Sequence, residues 1–136
     1  MLSRRIVAAI DWVRDQPAAP GAIALFGAST GAAAALMTAA ERPDVVSAVI
    51  SRGGRPDLAG SDLARVRAPT LLVVGGLDRQ VLELNRQAAA RLLAPHELVV
   101  IPGATHLFPE GSALERVVEH SVHWLDRWLP VPVGSG

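Results

Sequence analysis

The ten residues AIALFGASTG, numbered 22–31, decide the fold of this 136-residue chain. They begin with a continuous apolar run, residues 22–26, which is typical of a strand that is covered on both faces, and Gly27 ends the run. Small residues follow almost without interruption, and Pro43 stands beyond them, so we predict a helix over residues 29–41. A buried strand that passes through a tight turn into a helix is typical of parallel β-α-β structure.

The same alternation of strand and helix continues on both sides of this stretch. Upstream, apolar residues at helical spacing predict a helix that Pro17 and Pro20 end. Downstream, the further apolar runs that predict strands are residues 45–50, 70–74 and 98–101. Between the first two of them, SRGGRPDLAG (residues 51–60) predicts a loop, because glycine and proline disfavour regular structure. We therefore predict an α/β fold: a mainly parallel sheet of about four strands with helices on both faces, in a single domain that spans residues 1–136.

The last predicted helix has the clearest amphipathic pattern. Its apolar positions are Leu114, Val117, Val118, Val122, Leu125 and Leu129. We expect this stripe to face the sheet, because a surface helix buries its apolar side against the core. Trp124 and Trp128 flank the stripe, and we expect them to serve packing rather than ligand binding.

The composition excludes several classes of function. Thirteen Lys and Arg residues balance thirteen Asp and Glu residues, so the chain offers no basic surface for a nucleic acid. It has no cysteine, which excludes thiol chemistry, and its histidines and carboxylates show no metal-ligand spacing, so we expect no metal and no other cofactor. Its longest apolar stretches fall well short of the roughly 20 residues that cross a bilayer. We expect a cytoplasmic protein without a nucleic-acid or membrane partner.

A G-x-S-x-G pattern, Gly27-Ala28-Ser29-Thr30-Gly31, joins the first predicted strand to the next helix. A serine at such a turn has a strained backbone and an exposed hydroxyl, and we expect both flanking glycines to prevent collisions across the turn. The backbone N–H of Thr30 would face a developing oxyanion at the start of the helix. Ser29 is therefore a candidate nucleophile, and Thr30 a candidate oxyanion-hole residue. The alternative is that Ser29 only caps the helix.

The partners that a serine nucleophile needs follow two other predicted strands. Asp78 comes directly after the third strand and His106 directly after the fourth, so we expect both at the same sheet edge as Ser29. The imidazole would take the proton of the hydroxyl, and the carboxylate would orient the imidazole. The alternatives are that Asp78 caps a helix and that His106 is a surface histidine. Asp57, after the second strand, is the reserve acid.

Arginines follow the same strand ends. Arg52 and Arg79 are candidate substrate-binding residues, with Arg55 between them, because a guanidinium binds a carboxylate through two parallel hydrogen bonds. The alternative is that these arginines are solvated loop residues. If the first interpretation holds, the substrate carries a carboxylate besides the bond that reacts.

Four segments, ALFGASTG, VISRGGRPDLAG, LLVVGGLD and IPGATH, resemble the dienelactone hydrolase branch of the α/β-hydrolase superfamily. The resemblance runs nearly end to end and implies a truncated form of that fold, its C-terminal half with strands five to eight. It also implies a serine hydrolase of small carboxylic esters or lactones that acts through an acyl-enzyme on Ser29, His106 and Asp78. Dienelactone hydrolases proper have cysteine where this chain has Ser29, which points to ordinary ester or lactone hydrolysis.

The part of the superfamily fold that has no counterpart in these segments normally supplies a second oxyanion donor and covers the strand at residues 22–26. An uncovered apolar strand edge favours pairing with another chain, so we expect a homodimer or a larger assembly. Loss of one oxyanion donor lowers rates by about 10² to 10³. The alternative function is therefore a catalytically weak or inactive binding or assembly module, or a fragment of a longer hydrolase.

Overall fold

The computed structural model of the chain describes residues 2–14 and 22–129. The predicted end of the first helix, at Pro17 and Pro20, lies outside these ranges. The elements are α1 (Leu2–Arg14), β1 (Ile23–Ala28), α2 (Thr30–Glu41), β2 (Val46–Arg52), a 3₁₀ segment (Pro56–Arg65), β3 (Thr70–Gly75), α3 (Arg79–Arg91), β4 (His96–Ile101) and α4 (Ala113–Trp128). None of the helices in the described ranges combines the length and the apolar character that a bilayer-crossing helix needs.

The four strands form one parallel sheet in the order β1-β2-β3-β4. Every residue of β3 is buried, as its continuous apolar sequence predicts, whereas β1 pairs only with β2 in the described part of the chain and leaves Phe26 57% exposed. Helices α2 and α3 and the 3₁₀ segment pack on one face of the sheet, and α4 packs on the other. The predicted α/β class, with a parallel four-stranded sheet and helices on both faces, is confirmed.

Two apolar clusters fill the space between the sheet and the helices. The cluster under α2 and α3 includes Leu36, Val49, Leu63, Leu72 and Leu92, and the cluster under α4 includes Ile50, Leu71, Val73, Phe108 and Trp124. Helix α2 is buried along nearly its whole length, because its alanines let the sheet, α1 and the 3₁₀ segment approach its backbone from several sides. The helix that follows the G-x-S-x-G pattern is therefore held firmly from its first turn.

The 3₁₀ segment corrects the loop predicted for residues 51–60. It begins inside that stretch, because Pro56 has the backbone angle that a first helical position requires. Gly60, with φ of 57° and ψ of −128°, interrupts the segment, and buried Leu63 anchors its second half to the core. Glycine and proline shape this stretch rather than prevent regular structure in it.

Helix α4 corrects the predicted orientation of the last helix. Its buried positions are Ala113, Val117, Ser121 and Trp124, whereas Leu114, Val118 and Val122 are exposed. This rotation buries the large ring of Trp124 in the core, where its Nε1–H donates to the Pro69 carbonyl at 3.2 Å. The apolar stripe read from the sequence is wider than the surface that the sheet covers.

Candidate active site

Ser29 occupies the turn between β1 and α2 in a backbone conformation that is unusual for a residue with a side chain. Its φ is 50° and its ψ is −126°, a strained geometry that costs on the order of 1–3 kcal/mol. Its carbonyl accepts hydrogen bonds from the N–H groups of Arg55 at 2.9 Å and Ala32 at 3.2 Å. Its hydroxyl makes no capping hydrogen bond to α2 and instead lies 3.0 Å from Nε2 of His106. The helix-cap alternative for Ser29 is therefore wrong.

The two glycines around Ser29 play different parts. A Cβ atom at Gly27 would lie 2.6 Å from the Gly31 carbonyl oxygen and 2.7 Å from the Ala32 nitrogen, so only glycine fits where β1 meets α2. A Cβ atom at Gly31 would have no heavy atom of the described residues within 4 Å, apart from its chain neighbours and the nearby backbone of α2 itself. The expectation that both glycines prevent collisions is therefore right for Gly27 and wrong for Gly31.

The imidazole of His106 joins the Ser29 hydroxyl to a carboxylate. Its Nδ1 lies 2.8 Å from Oδ2 of Asp78, on the side of the ring opposite Nε2. Asp78 stands at the start of α3 but makes no side-chain cap there, so its carboxylate is aimed at the histidine rather than at the helix. Its side chain is 15% exposed, against 42% for His106, so the acid is the more enclosed member of the pair.

Backbone contacts beyond the ends of β3 and β4 bring the carboxylate and the imidazole together. The N–H of Leu77 donates to the Ala104 carbonyl at 2.9 Å, and the N–H of Asp78 donates to the Gly75 carbonyl at 3.0 Å. A Cβ atom at Gly75 would lie 2.4 Å from the Ala104 oxygen, so glycine is needed where the segments that follow β3 and β4 approach each other. The separation between Asp78 and His106 is therefore fixed mainly by the backbone.

The loop 53–55, after β2, contacts both ends of the serine–histidine pair. Gly53, with φ of 52°, lies against His106: a Cβ atom there would be 3.3 Å from Cε1 and Nδ1 of the ring. Two residues later, the N–H of Arg55 binds the Ser29 carbonyl. This loop therefore supports the turn that carries the hydroxyl and also borders the imidazole.

Asn85 anchors that loop, and our sequence analysis missed it. The side chain is fully buried, and its Nδ2 donates to the carbonyls of Gly54 at 3.0 Å and Val81 at 2.8 Å. Its signal in the sequence is a polar residue on the buried face of an amphipathic helix, between Leu82 and Ala88. A buried amide costs free energy for each hydrogen bond that it does not make, and Oδ1 of Asn85 has no partner among the described residues, so only the two bonds of Nδ2 offset the cost of its place in the core.

The reserve acid is engaged elsewhere. Both carboxylate oxygens of Asp57 accept hydrogen bonds from Arg55, at 3.0 Å and 2.9 Å, and this pairing raises the pKa of the Arg55 guanidinium above its ordinary value. Arg52 ends β2 and Arg79 begins α3, which places both at the sheet edge that carries Ser29. Thr30 is the first residue of α2, where a helix provides no internal acceptor for the N–H.

No group of three or more potential metal ligands, counting His, Asp and Glu side chains, occurs in residues 2–14 and 22–129. The groups that meet at the sheet edge are instead a hydroxyl, an imidazole and a carboxylate in sequence. Such a chain can move a proton from the hydroxyl to the imidazole while the carboxylate stabilises the charge that results. An arrangement of this kind is suited to activating an oxygen nucleophile.

Comparison with known proteins agrees with this geometry at the level of family and fold. A model of the dienelactone hydrolase family matches residues 1–126. The crystal structure of a dienelactone hydrolase from Anabaena variabilis is 48% identical, with a TM-score of 0.91 over 94% of this chain and 60% of that chain. A protein from Thermoplasma acidophilum, described as a predicted CIB-like hydrolase, is 27% identical, with a TM-score of 0.68 over 88% of this chain and 58% of that one.

A curated relative is much longer than this chain. A protein of Mycobacterium tuberculosis, named as a proposed phosphoribosyl transferase, is 49% identical over 137 aligned positions, which cover all of this chain. The match takes up 31% of the mycobacterial protein. The chain therefore spans under a third of that relative and 60% of the Anabaena hydrolase.

The two glycines of the G-x-S-x-G pattern provide a matched test of the turn. We expect Gly27→Ala to destabilise the protein by about 1–3 kcal/mol or more, because the added methyl group meets backbone atoms. We expect Gly31→Ala to be neutral or to stabilise by about 0.5–1 kcal/mol, since alanine is the better helix former and has open space there. Urea unfolding of both variants measures the difference, and equal stabilities would contradict the close approach of β1 and α2.

Proposed function

The chain belongs to the dienelactone hydrolase family, and from this premise we propose that it is a serine-dependent hydrolase of small carboxylic esters or lactones. The observation that carries the proposal is the continuous chain from the Ser29 hydroxyl through His106 to Asp78, with contacts of 3.0 Å and 2.8 Å. A serine hydroxyl is a weak nucleophile until a neighbouring base accepts its proton, and this arrangement supplies the base and its orienting acid.

The proposed reaction runs in two halves. In the first, Oγ of Ser29 attacks the substrate carbonyl carbon, Nε2 of His106 takes the hydroxyl proton, and the Asp78 carboxylate stabilises the imidazolium. The imidazolium then protonates the departing alkoxide, which leaves an acyl-enzyme; in a lactone the new alcohol stays attached to the acyl group. In the second half, a water oxygen attacks the acyl carbon while His106 takes a proton from that water, and His106 then gives this proton to Oγ of Ser29 as the acyl–oxygen bond breaks and the carboxylic acid leaves. The Thr30 N–H is proposed to donate to the oxyanion in both halves.

The surroundings of the three residues favour a substrate with both apolar and charged parts. Leu77 and Leu107, the chain neighbours of Asp78 and His106, are 54% and 72% exposed. Exposed apolar side chains on the segments that carry Asp78 and His106 provide area for a small hydrocarbon portion of a ligand. Arg52 and Arg79 are proposed to bind a substrate carboxylate at the same edge, as sequence analysis indicates.

A covalent probe tests the nucleophile. We expect a fluorophosphonate to label the protein, because an activated serine oxygen displaces fluoride from phosphorus while His106 receives the proton. Ser29→Ala should abolish labelling, and Ser61→Ala, at an exposed serine of the 3₁₀ segment, should leave it unchanged. A native protein that takes up no label would favour the alternative, a binding or assembly module that has the fold but does not turn over substrate.

Substitution of Asp78 and of Asp57 shows which of the two carboxylates orients the imidazole. We expect Asp78→Asn to lower kcat for a p-nitrophenyl ester by about 10³ to 10⁴, because the amide no longer holds the imidazole in its productive tautomer. The Asp57 carboxylate is bound to Arg55 rather than to His106. Asp57→Asn should therefore behave as an ordinary surface substitution and leave kcat within about threefold of the native value. A larger loss in Asp57→Asn than in Asp78→Asn would assign the acid to Asp57.

We also propose that the chain assembles through its β1 edge. In the described part of the chain that edge has no partner strand, and Phe26 is 57% exposed on it. Light scattering should give at least a dimer, and Phe26→Glu should shift it towards the monomer, because a charge at an apolar contact opposes association. Leu93→Glu, at a leucine that is 79% exposed in the α3–β4 loop, is the control. A monomeric native protein would contradict the proposal.

A further inference from the structure

The loop between β4 and α4 carries His106, and the histidine depends on the backbone of this loop for its position. The side chain is 42% exposed, so nearly half of its surface lacks packing contacts that would hold it. Its hydrogen bonds to Ser29 and Asp78 fix the ring only if the backbone brings it to the right place. What shapes the loop therefore decides whether the three groups meet.

A carboxylate closes this loop on itself. The N–H of Thr105, the residue before His106, lies 3.1 Å from each carboxylate oxygen of Glu110. The Thr105 hydroxyl donates to the same carboxylate, and the N–H of Phe108 donates to the Thr105 carbonyl at 3.1 Å. His106 therefore lies inside a short ring of backbone whose ends are joined through Glu110.

Glu110 has the charge state that this contact needs. Hydrogen bonding from the Thr105 hydroxyl, and to a lesser extent from its N–H, lowers the pKa of Glu110 below its ordinary value, although desolvation acts in the opposite direction. The carboxylate is therefore ionised at neutral pH. Hydrogen bonds to an ionised acceptor are roughly twice as strong as neutral ones.

Both ends of the ring are attached to the rest of the fold. Phe108 is 2% exposed in the cluster under α4, although its φ of 55° is strained for a residue with a side chain. The Glu110 carbonyl accepts a hydrogen bond from the N–H of Ala113, at 2.8 Å, at the start of α4. The ring is thus fixed relative to the sheet and to the helix, and it can transmit that rigidity to His106.

We propose that Glu110 is a positioning residue for His106: through Thr105 it holds the backbone that keeps the imidazole between Ser29 and Asp78. The inference rests on the proposed function, because hydrolysis requires that placement. Glu110 does not act on the substrate. A misplacement of a catalytic group by about 1 Å can cost about 100-fold in rate, so a support of this kind has a measurable effect.

Substitution of Glu110 tests the proposal by separating kcat from KM. We expect Glu110→Ala to lower kcat for a p-nitrophenyl ester by about 10-fold to 100-fold, with KM changed by less than about twofold, because proton transfer loses its geometry while the binding surface stays. Glu110→Gln keeps one acceptor oxygen and should recover part of the loss. Glu119→Ala, which removes the same charge from an exposed position of α4, should match the native protein.

The Thr105→Val variant distinguishes loss of the contact between Thr105 and Glu110 from a general loss of the fold. It removes only the hydroxyl contact, so kcat should fall less than in Glu110→Ala, and in the Glu110→Ala background it should cause no further loss, because the two residues act through one contact. Additive losses, or a Glu110→Ala variant with native kcat, would overturn the proposal. So would a Glu110→Ala variant whose loss in kcat is matched by Glu119→Ala.

A second readout does not depend on turnover. The Nδ1 proton of His106, held by Asp78, should give a slowly exchanging, downfield NMR signal in ¹⁵N-histidine-labelled protein. Glu110→Ala should broaden or remove that signal, and Glu119→Ala should retain it. A native protein that neither reacts with the fluorophosphonate nor hydrolyses the ester would reject the proposed function, while the NMR signal would still test the role of Glu110. An unchanged NMR signal in Glu110→Ala would reject the role of Glu110 alone.

Discussion

Strand β1 and helix α2 approach each other at Gly27 more closely than any residue with a Cβ atom allows. The virtual Cβ contacts of 2.6–2.7 Å to backbone atoms of α2 show how little room there is. That approach lets the chain reverse within one residue, and Ser29 is that residue, with its φ of 50°. Because the backbone is forced into this turn, the hydroxyl projects from the sheet edge instead of capping the helix. The imidazole of His106 and the carboxylate of Asp78 are aligned on this fixed hydroxyl.

The positions of the three groups follow from the sheet, and this part of the site could be read from the sequence. Apolar runs located the four strands, and in a parallel sheet the carboxyl ends of all strands meet at one edge. Ser29, Asp78 and His106 each follow a strand directly, so pairing of the strands brings their loops together without any information about side-chain contacts. The strand assignments and the parallel sheet agree with the structure. Burial on both faces explains the apolar run of β3, whereas β1 and β4 are apolar runs that the described part of the chain covers only in part.

What the sequence did not reveal depends on tertiary contacts. The rotation of α4 places the Trp124 ring in the core and its Nε1–H on the Pro69 carbonyl, a tertiary contact that apolar periodicity alone does not encode. Asn85 and Glu110 were missed because each supports the site from outside it: one binds the carbonyl of a neighbouring loop, and the other binds the residue before the histidine. Gly31 shows the converse, since the pattern marks it together with Gly27 although only Gly27 is crowded.

The strand order β1-β2-β3-β4 is also the order of synthesis, and this bears on how the protein folds. Each strand pairs with the one that precedes it in the sequence, and each of these parallel pairings closes a long crossover connection, through a helix or the 3₁₀ segment, rather than a tight hairpin. Pairing of parallel strands is therefore slower than the formation of local contacts, because the entropy of closing each crossover is lost before the pairing stabilises the sheet. Ser29 follows β1 and His106 follows β4, so the hydroxyl and the imidazole come together only once all four described strands have paired.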